Sequence, residues 1–194
     1  MFDYIHDVQK AYRKLIDSLA KPGTINTLKE ASEKLDFPLN CNKATLVLML
    51  VLLDTEVTFH VIGRERDSIT KYLSQITYAR TASLEIADFI IVLEDVSADR
   101  IAAVIQKSKP GDLINPHLSA TLIIEVAQIT AIGELILKGP GIEEEQYISV
   151  SGAEYWVAQR AEKNAEYPLG IEMYFVDQEQ NLLTIPRTTK VTRG

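Results

Sequence analysis

Apolar positions recur along the chain with two different periods, and the switches between them lay out the elements. Val8, Ala11, Tyr12, Leu15, Ile16 and Leu19 fall three and four residues apart, which gathers them on one helix face. Pro22-Gly23 ends that helix, because proline lacks the amide donor and glycine accepts a turn conformation. Residues 24–28 then read as a short strand. The stretch 44–53 is apolar throughout and rich in Leu and Met, with Asn42 placed to cap it. It reads as a buried helix ending near Asp54. From 57 to 62 the pattern alternates, with Val57, Phe59 and Val61 on one side and Thr58 and His60 on the other, which predicts a strand. Ile69, Tyr72, Leu73 and Ile76 mark another amphipathic helix, capped by Asp67 or Ser68. The continuous apolar run 89–93 predicts a strand covered on both faces. Ser97 opens a helix carrying Ile101, Val104 and Ile105, and Pro110-Gly111 ends it.

The second half is richer in strand patterns. Residues 120–127 and 134–138 read as strands around a turn at Gly133, and Gly139-Pro140-Gly141 breaks the chain. Ser151 and Glu154 have capping-box spacing, which predicts a helix running through Arg160. Residues 171–176 and 182–185 form a hairpin across the polar turn 177–181. Helices and strands alternate, without repeats or long linkers. The expected fold is a single α/β domain over 1–194, with a mixed central sheet flanked by helices and its later strands partly antiparallel.

Composition narrows the function classes. Lys and Arg total 20 against 27 Asp and Glu, for a net charge of −7. An acidic surface without a basic cluster opposes nucleic acid and anionic lipid. The longest apolar run is far short of the roughly 20 residues of a membrane span. The single cysteine, Cys41, cannot close an internal disulfide, and the first residues lack the apolar core of a signal peptide. A cytoplasmic protein is expected.

Several site chemistries have no motif here. Neither G-x-x-x-x-G-K-[ST] nor G-x-G-x-x-G occurs, nor a G-x-S-x-G elbow. His6, His60 and His117 are far apart, and one cysteine cannot build a thiolate metal site. No metal site is expected, and a binding subunit is favoured over a stand-alone enzyme.

Three segments go beyond folding signals. They are Tyr12-Arg13 through Pro22-Gly23, then Leu137-Lys138-Gly139-Pro140-Gly141-Ile142, then Tyr167-Pro168-Leu169-Gly170-Ile171-Glu172 followed by Ile185-Pro186-Arg187-Thr188-Thr189. In this order and spacing they resemble the PhnH family, the H subunit of bacterial carbon–phosphorus lyase. Asp54 and Ala120-Thr121-Leu122 fit the same pattern. The resemblance implies a fold similar to the major domain of pyridoxal-phosphate-dependent transferases, without the Schiff-base machinery, since no lysine for the cofactor aldehyde is identifiable. It implies a homodimer that docks onto other subunits of the lyase core complex. That complex joins the ribose triphosphate of ATP to an alkylphosphonate and then cleaves the carbon–phosphorus bond in a separate radical step.

Candidate site residues have two readings each. Arg187 with Thr188 and Thr189 suits a phosphonate or nucleotide-derived phosphate, because a guanidinium forks onto such oxygens. Alternatively Pro186 ends a strand and Arg187 pairs with an acid such as Glu172. Gly139 and Gly141 either let a ligand approach the backbone or form a tight turn rimmed by Glu143, Glu144 and Glu145. Arg13 makes a salt bridge or subunit contact, or binds substrate. Tyr155 and Trp156 are partner-facing anchors or core. Two rival functions remain beside the subunit: a transferase with its own phosphate site, and a free ligand-binding regulator.

Overall fold

The computed structural model describes residues 1–36 and 41–194. Among these, six α-helices and ten strands follow in the order α1 His6–Ala20, β1 Asn26–Thr27, α2 Lys29–Lys34, α3 Lys43–Leu52, β2 Thr58–Ile62, α4 Arg66–Thr77, β3 Arg80–Thr81, β4 Phe89–Val92, α5 Ala98–Lys107, β5 Thr121–Val126, β6 Ile129–Lys138, β7 Gln146–Val150, α6 Val157–Lys163, β8 Glu172–Asp177, β9 Asn181–Ile185 and β10 Lys190–Arg193. No helix among the described residues is long and apolar enough to cross a membrane.

Seven strands form one mixed sheet in the order β1-β9-β8-β5-β4-β2-β3. The ladders β8-β5-β4-β2-β3 are parallel, and β9 and β1 are added antiparallel. The central strands β4, β5 and β8 are largely apolar because both their faces are covered, with Glu125 the acid inside β5. Ile91, Ile123, Tyr174 and Val176 face a layer built by α1 to α4, with Leu15, Leu48 and Leu73 fully buried there. Ile90, Leu122, Ile124, Met173 and Phe175 face the opposite layer, made by α5, α6 and a second sheet. That second sheet is antiparallel, in the order β10-β6-β7. The side-chain period of two thus distributes one run of residues between two cores.

Most expected elements are present, and several differ in detail. Asn42 caps α3, its side-chain oxygen accepting from the Ala44 amide at 2.9 Å. The cap position of α4 is Glu65, which leaves Asp67 and Ser68 inside the helix. Gly133 is not a turn. It lies within β6 at an irregularity of the β6–β7 register, where a Cβ would stand 2.4 Å from the Ile148 carbonyl oxygen. A side chain there would force the two strands apart. The capping box does not form either: Ser151 donates to the Gln128 carbonyl, Glu154 lies 3.8 Å from Arg193, and the helix begins only at Val157. The strand expected over 24–28 shortens to two residues. Helix α2 and strands β3, β7 and β10 carried no periodic signal long enough to read.

Candidate functional site

The segment 186–189 joins β9 to β10 and is held from two sides. Arg160, on α6, is 2% exposed, and its guanidinium donates to the carbonyl oxygens of Thr189 at 3.0 Å and Pro186 at 2.7 Å. Burial pushes its pKa down to about 10, with the Glu172 charge opposing. One helical turn further, Asn164 donates to the carbonyls of Ile171 and Arg187 and accepts from the Ile171 amide. Arg160 and Asn164 together clamp this loop to the start of β8.

Arg187 itself donates through Nη1 to the Pro116 carbonyl at 2.7 Å and to the Ser119 hydroxyl at 3.0 Å. Its expected pairing with Glu172 is absent; Glu172 instead accepts from the Tyr174 hydroxyl at 3.1 Å. Nε and Nη2 of Arg187 make no hydrogen bond with another described residue. Thr188 is exposed, whereas Thr189 is buried with its hydroxyl unpartnered.

The structure brings Gly139 to this same loop. A Cβ on Gly139 would lie 3.0 Å from the Thr188 carbonyl oxygen, and one on Gly141 would lie 2.3 Å from that of Ala20. The glycine turn, with Gly141 at φ +83°, therefore packs backbone against the end of α1 and against 188–189. The groove beside it, about 570 Å³, is lined by Lys21, Glu143, Glu144 and Glu145 among others. Lys138 pairs with Glu145 at 2.5 Å. The carboxylates outnumber the free cations here, which opposes a phosphate.

Arg13 stands exposed on α1 and makes no ion pair or hydrogen bond with another described residue. Tyr155 is half-exposed, but Trp156 is 2% exposed and packs on Phe175 with ring centroids 4.9 Å apart. Trp156 belongs to the core and is not a surface anchor. His60 is partly buried, its Nδ1 2.9 Å from the Ala82 carbonyl oxygen. Asp54 receives the Glu56 amide in a local turn.

A cavity of about 530 Å³ opens at the carboxyl ends of β4, β5 and β8, beside the start of α3. In open α/β sheets this end is the usual place for ligands. Glu94 and Asp95 line it after β4, Glu125 near the end of β5, and Gln178 and Gln180 after β8. Glu125 is 8% exposed and accepts from the amides of Asn42 at 3.0 Å and Glu94 at 3.2 Å. Burial holds its carboxyl above the usual carboxylate range, against those amides. Gln178 donates to Glu94 at 2.6 Å. Cys41, on the rim, has its thiol pushed up to about 12 by burial, then by the charges of Glu125 and Glu65. Asp177 organises the β8–β9 turn beneath, accepting from the amides of Ile129, Glu179 and Asn181. Sequence reading missed Glu125, although a lone acid inside the apolar run 120–127 was a signal. Arg160 offered none, since nothing in its neighbours announces a buried guanidinium.

A three-layered α/β protein emerges, with a doubly covered, mostly parallel sheet, an acid-lined cavity at its carboxyl ends and a clamped Pro-Arg-Thr-Thr loop. The chain belongs to the family described as bacterial phosphonate metabolism protein (PhnH), whose model matches residues 1–192. It is similar to a putative C-P lyase subunit protein, HtxG, of Stutzerimonas stutzeri, with 29% identity over 188 residues, 94% of this chain and 85% of that protein. It is also similar to the alpha-D-ribose 1-methylphosphonate 5-triphosphate synthase subunit PhnH of Rhizobium meliloti (strain 1021). That match has 28% identity and covers 98% of this chain and 93% of the relative.

Proposed function

We propose that this chain is the H subunit of a carbon–phosphorus lyase core assembly, and that it contributes there to transfer of the ribose triphosphate of ATP onto an alkylphosphonate. The whole-length match to the PhnH family carries this reading, supported by the subunit descriptions of both relatives. The state of the candidate residues agrees with an accessory role. Arg187 spends its Nη1 donors on the protein itself, and the Gly139–Gly141 turn is packed against backbone and bordered by acids. A phosphate-transferring site on this chain alone draws less support from that arrangement. A homodimer in isolation, a cytoplasmic location and a sheet like that of the pyridoxal-phosphate transferases belong to the same reading.

No resident cofactor is part of it. The cavity at the carboxyl ends has one lysine, Lys43, whose ammonium donates to the Leu35 carbonyl, and three carboxylates that disfavour a phosphorylated aldehyde. Purified protein should show no borohydride-sensitive aldimine absorbance.

The deciding experiment is co-expression of the tagged chain with the remaining lyase subunits. Retention in a stable complex is expected, with no turnover of ATP and an alkylphosphonate by the isolated chain. Turnover by the isolated chain, without assembly, would replace the subunit reading with the transferase one.

A further inference from the structure

The parallel strands share one direction, so the loops entering them lie at one end of the sheet and the loops leaving them at the other. The polar cavity occupies the leaving end. At the entering end, Ile86 precedes β4, Leu113, Ile114 and Leu118 precede β5, and Tyr167 precedes β8. These five side chains are between 48% and 88% exposed. Strands β4, β5 and β8 are successive neighbours in the sheet. Three adjacent strands span about 10 Å, so their entry loops share one edge.

These loops are also tied together. The Gly170 amide donates to the Pro110 carbonyl at 2.9 Å, Lys109 pairs with Asp88 at 2.5 Å, and Arg187 holds Pro116. An apolar edge fixed in advance loses little freedom on binding, which favours association. Its charges are asymmetric. Lys109 is engaged by Asp88, Lys163 by the Gln106 carbonyl and Arg187 by Pro116 and Ser119. Glu85, Asp112 and Glu166, each next in sequence to one of the apolar residues, are exposed, and the exposed Lys107 acts on Glu85 alone of the three.

We propose that this entry-loop edge docks a different protein, one presenting an apolar centre ringed by lysine and arginine. Given the subunit reading above, on which this rests, the partner is another subunit of the assembly. A second copy of this chain meeting edge to edge would set acid against acid, so the charge pattern selects a basic partner.

The test is binding of the full-length chain to the remaining lyase subunits, compared among wild type, Ile114→Asp, Tyr167→Ser, and the double charge reversal Glu85→Lys with Glu166→Lys. Tyr12→Ser, on the exposed face of α1, is the control. Wild type and control should bind alike. Each apolar variant should bind at least about tenfold more weakly, as for truncation of an interface anchor, while keeping the wild-type thermal midpoint. Wild-type binding should weaken with added salt, and the charge reversal should lose both affinity and that salt dependence. Wild-type affinity in both apolar variants overturns the proposal while leaving the subunit reading intact. Variants that split a homodimer yet still enter the complex assign the edge to a second copy and overturn it as well. Failure of the wild type itself to bind removes the subunit reading, and this inference with it.

Discussion

The guanidinium of Arg187 donates to the carbonyl oxygen of Pro116 at 2.7 Å, across 71 positions of sequence. One side chain thereby joins the loop after β9 to the loop before β5, at the amino end of the sheet. Arg160 holds the same Pro-Arg-Thr-Thr loop from its other side.

Arg187→Ala should therefore lower stability by about 1.5–3 kcal/mol, the range for hydrogen bonds involving a charged group. Urea titration reads this directly. Weaker binding of inorganic phosphate or an alkylphosphonate, with stability unchanged, would instead make Arg187 an anion ligand through its free Nε and Nη2.

Trp156 and Tyr155 are adjacent and should behave oppositely. Trp156→Ala empties a buried site against Phe175 and should cost about 3–5 kcal/mol. Tyr155→Ala, at a half-exposed position, should change stability by no more than about 0.5 kcal/mol. Thermal or chemical denaturation of the two variants side by side is sufficient.

Asp7 and Lys34 link α1 to the end of α2 at 2.7 Å. The bond from Lys34, then the Asp3 amide, lowers the Asp7 pKa, and the Asp7 carboxylate raises that of Lys34. A depressed carboxyl stabilises the fold above its ordinary range, and that support is lost as pH falls through the folded value. A raised ammonium stabilises below its ordinary range and is lost as pH climbs through its own. Lys34→Met should thus reduce the thermal midpoint at neutral pH. The gap should close below about pH 4 and above about pH 11. An equal gap at all pH values would mean that packing, not the ion pair, is what Lys34 supplies.

Cys41 should be a poor nucleophile in the folded protein. With its thiol pushed up to about 12, little thiolate exists at neutral pH. A maleimide or disulfide reagent at pH 7 should react far more slowly with native than with urea-unfolded protein. Equal rates would show that the rim of the cavity leaves the thiol unburied and ionisable.

The parts legible in the sequence were those with an unambiguous period. Val104 and Ile105 on α5 carried one, and the runs at 89–93, 120–127 and 171–176 carried the largely apolar pattern of strands covered on both faces, because burial on one or two faces writes itself into residue type. Gly133 misled, since a glycine inside a strand and a glycine in a turn look the same until the Ile148 backbone is placed beside it. Ser151 and Glu154 had the right spacing for a cap but were drawn to Gln128, in the turn between β5 and β6, and to Arg193 on β10. The site was less legible for the same reason. Gly139 and Thr188 meet only through tertiary folding, and Trp156 became core because Phe175 arrives from a strand 19 positions later.

At both margins of the seven-stranded sheet the outermost strand is only two residues long, Asn26–Thr27 on one side and Arg80–Thr81 on the other. Such stubs expose too few unpaired amides and carbonyls to template another chain. The short margins disfavour growth of this sheet by strand addition. Contacts made at those two margins therefore fall to side chains on the neighbouring loops and helices, and specificity there is written in residues that substitution can change without disturbing the backbone ladder.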